Sequence, residues 1–401
     1  MTINRRHFLA VAAAAASPKH TEFEALRQEF PRAVEQVYLD AAAHMPLPRY
    51  TAEGMRKYMD FHMYGPGNGR GEYAAQALRQ VKPLFARLIG AQPSEIGFVI
   101  CTKAGEAAVV NGLNIPASGG NIVTNDLHYA GSVHNYIGRR KEGWDIRIVK
   151  HRDWRIDLRD MERVIDKKTR LVAITPVSNV NGHVEDTKAI CELAHAQGAY
   201  VYADIIQAAG SVPVDVKALG VDFAACSCYK WLQGARGAGF LYVRQDLQGK
   251  VVRDSIFPGY VDFNYSPWVT SRDASKEEFP FRPARDAGRY EAGNVSYVSY
   301  AGQYEALQRM LALGVDNIWA HTKPMCDRLK KELPALGYKL ITPPEAVSSI
   351  VVVQAKDLRA TREKLQRANI QVTTTGQNRV RISPAVYNTM QDIDRLLAAL
   401  G

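Results

Sequence analysis

The stretch RLVAITPVSNVNGHVEDTKAICELAHAQGAYVYADI, residues 170–205, decides the fold. Residues 170–177 and 199–205 are apolar runs of strand length, without the polar alternation of a half-exposed strand. Such runs predict strands covered on both faces. Between them Ile190, Leu193 and Ala194 make one stripe at helical spacing, and Gly198 supplies the stop. Strand, helix, strand is the repeating unit of a parallel sheet with helices on its faces.

Working outward, the same alternation runs from residue 96 to 244. Further strand-like runs are IGFVICT at 96–102, NIVTND at 121–126, DIRIVK at 145–150, DFAACS at 222–227 and GFLYVR at 239–244. Together these predict an α/β lobe with a mostly parallel seven-stranded sheet. Ligands of such sheets gather beyond the carboxyl ends of the strands. The last hundred residues change pattern: helical stretches around Gly314, then SSIVVVQ, LRATREKLQRAN, RVRISPAVYN and MQDIDRLLAAL. They predict a smaller α+β C-terminal lobe. The expected organisation is a leader at 1–20, an N-terminal segment at 21–55 packing with the small lobe, a large lobe at 56–295 and the small lobe at 296–401.

The chain has 401 residues, 46% of them hydrophobic, which is enough for two lobes with buried cores. No apolar run reaches the ~18 residues of a membrane span. The net charge is +10, but the basic residues are scattered, with no Lys/Arg block interleaved with aromatics. Nucleic acid binding is therefore not expected, whereas small anionic ligands suit the charge. The five cysteines fit no zinc or disulfide spacing, so neither a metal nor a disulfide framework is expected. Arg5 and Arg6, then Phe8, Leu9 and an alanine-rich run, resemble a twin-arginine export signal, which predicts a periplasmic or exported protein.

Polar residues cluster where the predicted strands end. Asp204 closes one strand and Gln207 follows it; Ser178, Asn179 and Asn181 follow another; His128 and Tyr129 follow a third; Ser227, Tyr229 and Lys230 follow a fourth. Ala104 and Gly105 lie in a small-residue turn between a strand and a helix. Each alone has a plain structural reading as a cap, a turn or a solvated charge. Together, on one sheet edge, they suit one chemistry. A lysine amine forms a Schiff base with an aldehyde. A carboxylate holds a pyridine nitrogen protonated, which makes the ring an electron sink. Amides opening a helix receive a phosphate.

The blocks TPVSNVNGHVEDTKAICELAHAQGAYVYADIIQAAGSVPVDV and YKWLQGARGAGFLYVR resemble the class V aminotransferase group of fold type I pyridoxal-phosphate enzymes. RYEAGNVSY at 289–297, RVRISPAVYNTMQDIDRLLAAL at 379–400 and VYLDAAAHMPLP at 37–48 extend the likeness from about residue 21 to the end. The branch most similar is that of isopenicillin-N-epimerase-like and cysteine-desulfurase-like proteins.

The resemblance implies pyridoxal 5'-phosphate as cofactor, with Lys230 as the Schiff-base lysine and proton shuttle, and Asp204 on the pyridine nitrogen. It places Gln207 and Asn179 near the phenolic oxygen and the substrate. Ala104, Gly105, Ser227 and Tyr229 fall to the phosphate, and either His128 or Tyr129 stacks on the ring, with His128 a catalytic candidate. Arg381, with Arg379 as the neighbouring alternative, grips the substrate carboxylate, and Ala43 and His44 shape the substrate end. Asn294 reaches the phosphate of a second subunit in a homodimer.

The implied activity is chemistry at the Cα of an amino acid through a carbanion, as aminotransferase or epimerase. The alternative is a C–S or β-elimination lyase, and a non-catalytic scaffold is the remaining reading. The segment NIQVTTTGQNRVRIS, residues 369–383, contains no cysteine, so persulfide-forming desulfuration is not expected.

Overall fold

The computed structural model describes residues 20–65, 67, 69–115, 119–254 and 283–401. The arginine pair and alanine run of the export reading lie outside the described residues. β1 is Val37–Tyr38, and the large sheet comprises β2 (Ile96–Val99), β3 (Asn121–Asn125), β4 (Asp145–Val149), β5 (Thr169–Ile174), β6 (Tyr200–Asp204), β7 (Phe223–Ser227) and β8 (Gly239–Val243). Its order is β2-β8-β7-β6-β5-β3-β4. β8 pairs antiparallel with both neighbours, and the other pairings are parallel. This is the mostly parallel seven-stranded sheet read from the sequence.

Every residue of β2, β3, β7 and β8 is buried. The two faces feed different cores. Along β6, Val201 and Ala203 join one cluster with Val172, Ala224 and Phe240, while Tyr202 joins another with Leu171, Phe223 and Leu241. Period-two side chains with apolar partners on both sides explain why the runs show no polar alternation. The helix Thr187–Ala196 between β5 and β6 begins at Asp186, whose carboxylate accepts from Ala189 N at 3.2 Å, and is followed by Gly198 at φ +78°.

The C-terminal lobe carries β9 (Lys339–Leu340), β10 (Val351–Gln354), β12 (Thr373–Thr375) and β13 (Arg379–Ile382), in an antiparallel sheet of order β12-β13-β10-β9. It has its own core, built on Leu329, Val353, Leu365, Val380 and Leu396. The short β11 (Ile370–Gln371) pairs in parallel with β1, so the N-terminal segment is stitched to this lobe. Helix Tyr297–Leu313 packs on Arg49–Tyr64 almost backbone to backbone. A Cβ on Gly54 would stand 2.7 Å from Ala301 O, and one on Gly302 2.8 Å from Thr51 O.

Candidate active site

The carboxyl ends of β3, β5, β6 and β7 converge on one edge, and the segment from Asp40 to Met45 runs across it. β6 ends at Asp204, which is buried and accepts from Ile206 N at 3.1 Å. Beside it β7 delivers Lys230, only 8% exposed. The turn after Lys230 is closed by Gln233 N donating to Lys230 O at 2.8 Å, with Gln233 itself at φ +61°. A buried glutamine in the left-handed region is a strained choice. It is held by Tyr50 OH on its side chain and by Thr51 Oγ1 on its carbonyl.

Burial penalises the charge on both groups. It pulls the Lys230 amine down to about 8, with Asp204 opposing and Arg381 adding to the pull. It pushes the Asp204 carboxyl up to about 7, against the Ile206 amide and Lys230. Each charge therefore restrains the other's shift. The Tyr229 ring lies beside the amine, with Lys230 Nζ 5.7 Å and the Arg236 guanidinium 5.5 Å from its centroid. The His44 ring stacks toward it at 6.0 Å.

Gln207 is fully engaged: its Nε2 donates to Ala42 O at 3.0 Å and its Oε1 accepts from Trp231 Nε1 at 2.8 Å. Met45 N donates to Tyr229 O at 3.1 Å, and Ala42 N to Ser383 Oγ at 3.0 Å. Ala43 and His44 are thus fixed, half-buried, over the lysine turn. Burial and the nearby Arg236 and Arg32 keep the His44 ring below its usual pKa.

Arg381 and Arg379 part company. Arg381 donates to Asn179 O at 3.1 Å and Thr373 Oγ1 at 3.0 Å, and stands 3.8 Å from Asp40. Its Nε is buried without a hydrogen-bond partner. Arg379 lies over Trp154 instead, 5.6 Å from the ring.

The helix Thr102–Gly112 opens at the same edge. Thr102 N donates to Ser227 Oγ at 2.8 Å, and Ser227 N to Thr102 Oγ1 at 2.9 Å, locking the helix start to the end of β7. The amides of Ala104 and Gly105 both turn to Cys101 O, at 3.1 and 3.2 Å. The glycine has a packing reason as well: a Cβ at Gly105 would lie 2.7 Å from Ala225 Cβ on β7.

His128 and Tyr129 differ sharply. His128 is buried, while Tyr129 is 43% exposed. His128 Nδ1 accepts from Tyr129 N at 2.6 Å, and Nε2 is buried without a hydrogen-bond partner. Burial lowers its pKa to about 4, Glu106 opposing and Lys103 adding, so the ring is neutral. Asn294 is exposed, between the turn Ala287–Tyr290 and helix Tyr297–Leu313.

Sequence reasoning passed over Trp231, Asp40 and Glu106. Trp231 stood in the quoted lysine block, but nothing in a sequence shows that its ring nitrogen reaches Gln207. Glu106 did leave a signal, a K-x-x-E pair in an otherwise small-residue helix start.

The Aminotransferase class-V family model matches residues 37–396, and the chain belongs to that family. It is 30% identical over 336 residues to a probable cysteine desulfurase of Methanothermobacter thermautotrophicus, covering 82% of this chain and 80% of the relative. The solved structure of the cysteine desulfurase CsdA from Escherichia coli superposes with a TM-score of 0.80 at 20% identity, over 94% of this chain and 96% of that one. A cystine C–S lyase solved with its product cysteine persulfide gives 0.78 at 22% identity, over 92% and 98%.

Pyridoxal phosphate is the family's cofactor, and the residues present fit it. A buried amine faces a buried carboxyl, a neutral imidazole has an unpartnered nitrogen, and a helix start stands beside them.

One expectation is corrected. Residues 369–383 hold no cysteine, and persulfide-forming desulfuration was not expected on that ground. The similarity to cysteine desulfurases overturns the exclusion. A missing thiol in one segment limits where a thiol stands, not which bond the site breaks. Cys101, half-buried at the start of helix Thr102–Gly112, already lies on the same edge.

Proposed function

We propose that the protein cleaves the C–S bond of cysteine or a cysteine-derived amino acid, with pyridoxal phosphate bound to Lys230. The observation that carries this reading is the Lys230–Asp204 pair, buried at the carboxyl edge of the sheet. The cysteine-desulfurase relative favours C–S cleavage over the transamination and epimerisation first expected.

Bound there, the cofactor supplies an electron sink for the pair left when a bond to the substrate Cα breaks. The chain's own groups do the rest. Lys230 anchors the cofactor and moves the proton at Cα; a buried amine with a depressed pKa is a competent base. Asp204 holds the proton on the pyridine nitrogen. His128 presents its neutral ring as the stacking surface, and the exposed Tyr129 does not. Arg381, steadied by Asn179 and Thr373, takes the substrate carboxylate as a planar fork. Gln207 is held by Trp231 and Ala42 beside the phenolic oxygen. The start of helix Thr102–Gly112, with Ser227 and Tyr229, receives the phosphate; the Ala104 and Gly105 amides expected there turn instead to Cys101 O and contribute through the helix dipole. Ala43 and His44 border the substrate side chain.

A homodimer completes the site, with Asn294 reaching the second subunit's phosphate. Exposed Met59, Met63, Tyr64 and Ile100 supply apolar surface for such a contact. The Arg5–Arg6 leader supports export by the twin-arginine route, which cell fractionation tests. No helix among the described residues is long and apolar enough to cross a membrane.

The deciding experiment incubates the loaded protein with L-cysteine, L-cystine and a panel of other amino acids. The expected result is alanine with the sulfur left as a persulfide, or pyruvate and ammonia with sulfide from cysteine or cysteine persulfide from cystine. Keto acid formed without sulfur release, or inverted amino acid, would replace this reading by the transaminase or epimerase one.

A further inference from the structure

Behind His128 lies a buried polar cluster that none of the assigned roles uses. Glu106, on the first turns of helix Thr102–Gly112, is 2% exposed. Its Oε2 accepts from Lys103 Nζ at 2.6 Å and from Ser132 Oγ at 2.7 Å, and its Oε1 from Tyr136 OH at 2.6 Å. Lys103 Nζ also reaches Ser132 Oγ at 3.3 Å. Ser132 and Tyr136 come from a second helix, Ala130–Arg139, so the carboxylate is gripped from two elements. A buried carboxylate with three donors is a built feature, because an unpaired one would be prohibitively costly.

The grip leaves one edge of the carboxylate toward His128. Glu106 Oε1 stands 4.0 Å from His128 Nε2. That is beyond hydrogen-bond length but close for a charge and a ring N–H in a dry interior. The ring's tautomer follows from its other nitrogen. Nδ1 accepts from the Tyr129 amide, so in the neutral ring the hydrogen sits on Nε2, facing Glu106.

We propose that Glu106 is a positioning residue: from the rear it holds the orientation of His128 and supports the Nε2–H tautomer that the Tyr129 amide sets, while Lys103 balances its charge. A bare carboxylate at this distance would draw a second proton onto the ring. The Lys103 ammonium offsets that pull. The imidazole is then held flat and uncharged, the state in which it can lie against a protonated heterocycle without like-charge repulsion. Burial alone would raise the Glu106 pKa; the Lys103 charge and the hydrogen bonds from Lys103 and Tyr136 pull it the other way. The other charged and titratable groups near the cluster are Tyr202 and Asp204 on β6, and Arg139 near Tyr136. This role rests on the stacking position given to His128 above, but not on which bond the enzyme breaks.

The test reads the histidine rings directly, by nitrogen-15 NMR of the full chain near neutral pH, with and without added pyridoxal 5'-phosphate. His128→Gln identifies the resonance. The expected wild-type signal is a neutral ring with hydrogen on Nε2 and Nδ1 as acceptor. Glu106→Gln should move the Nε2 hydrogen upfield, because the charge it faces is gone while Ser132 and Tyr136 keep an oxygen to donate to. Lys103→Met should move it downfield, because the carboxylate is then unbalanced. A hydrogen on Nδ1, or a resonance unmoved by both substitutions, overturns the proposal. If Glu106 were only a packing element, the substitutions would lower the denaturation midpoint and leave the signal in place. Should Glu106→Gln fail to fold, the partly exposed Lys103→Met carries the test alone, with the opposite sign. Sulfur release from cysteine, assayed separately, decides the C–S reading whichever way the ring signals fall.

Discussion

Trp231 Nε1 donates to Gln207 Oε1 at 2.8 Å, and this bond joins the turn that follows β6 to the turn that follows β7. It leaves Gln207 Nε2 to hold Ala42 O, so the side chain is oriented at both ends before any ligand arrives. Trp231→Phe should keep an aromatic ring, though a smaller one, and release the amide. Buried Gln207 Oε1 then loses its donor, at a cost of about 1–3 kcal/mol. Urea denaturation reads that cost. Spectroscopic titration with pyridoxal phosphate should show weaker binding, and unchanged binding would remove Gln207 orientation from the account.

Lys230 sets a pH dependence of the cofactor-free chain. Its folded pKa lies near 8, below the unfolded value. Between that point and about 10.4 the unfolded chain holds the extra proton, so stability rises with pH through this window. Lys230→Met should abolish the rise, and it should remain folded while losing the visible absorbance of bound pyridoxal phosphate. Denaturation midpoints across pH 8 to 10 check the first statement, and a spectrum checks the second.

Glu185 has the opposite sign. It is buried, accepts from Asn125 Nδ2 at 3.0 Å through Oε1, and has an unpartnered Oε2. Burial pushes its pKa up to about 8. Its neutral form is favoured in the fold, so stability falls as pH rises from the unfolded value toward 8. Glu185→Gln keeps an acceptor for Asn125 and cannot ionise. It should stabilise the chain at pH 8 by about 2–4 kcal/mol and change little at pH 4. A variant no more stable at pH 8 would mean that the carboxyl finds a partner there.

The thiols should separate cleanly. Burial raises the pKa of Cys191, Cys226, Cys228 and Cys326, the last to about 12. Cys101 is the half-buried one, at a helix start. A thiol reagent applied to folded protein should label Cys101 and spare the other four until denaturant is added. Peptide mapping of the labelled chain is the measurement.

Arg381→Lys should raise KM for the substrate about tenfold, a loss of roughly 1.4 kcal/mol, with a smaller effect on kcat. An ammonium cannot reproduce the fork that Asn179 O and Thr373 Oγ1 orient. Arg379→Lys, over Trp154, should leave both constants near wild type. Equal effects at both positions would reverse the assignment.

The sheet was legible because each strand is covered on both faces, and continuous apolar runs are how such strands look in a sequence. Asp204 and Lys230 each had a plain reading alone, and stood out only through their co-occurrence at strand ends and the family resemblance of their blocks. The reach of Trp231 to Gln207, across 24 positions, left no periodic trace. Nor did the pairing of Ser227 with Thr102, which couples positions 125 apart. His128 and Tyr129 were inseparable in sequence, because adjacent residues beyond a strand share every local pattern. Only the fold puts one inside and the other at the surface.

The segment from Val37 to Met45 has a mechanical consequence. It is paired with Ile370–Gln371, bonded to Ser383, and bonded again to Gln207 and Tyr229. Any swing of the C-terminal lobe therefore pulls on a strap anchored at Tyr229, the neighbour of Lys230. Domain motion and the tightness of the rim around the substrate become a single degree of freedom.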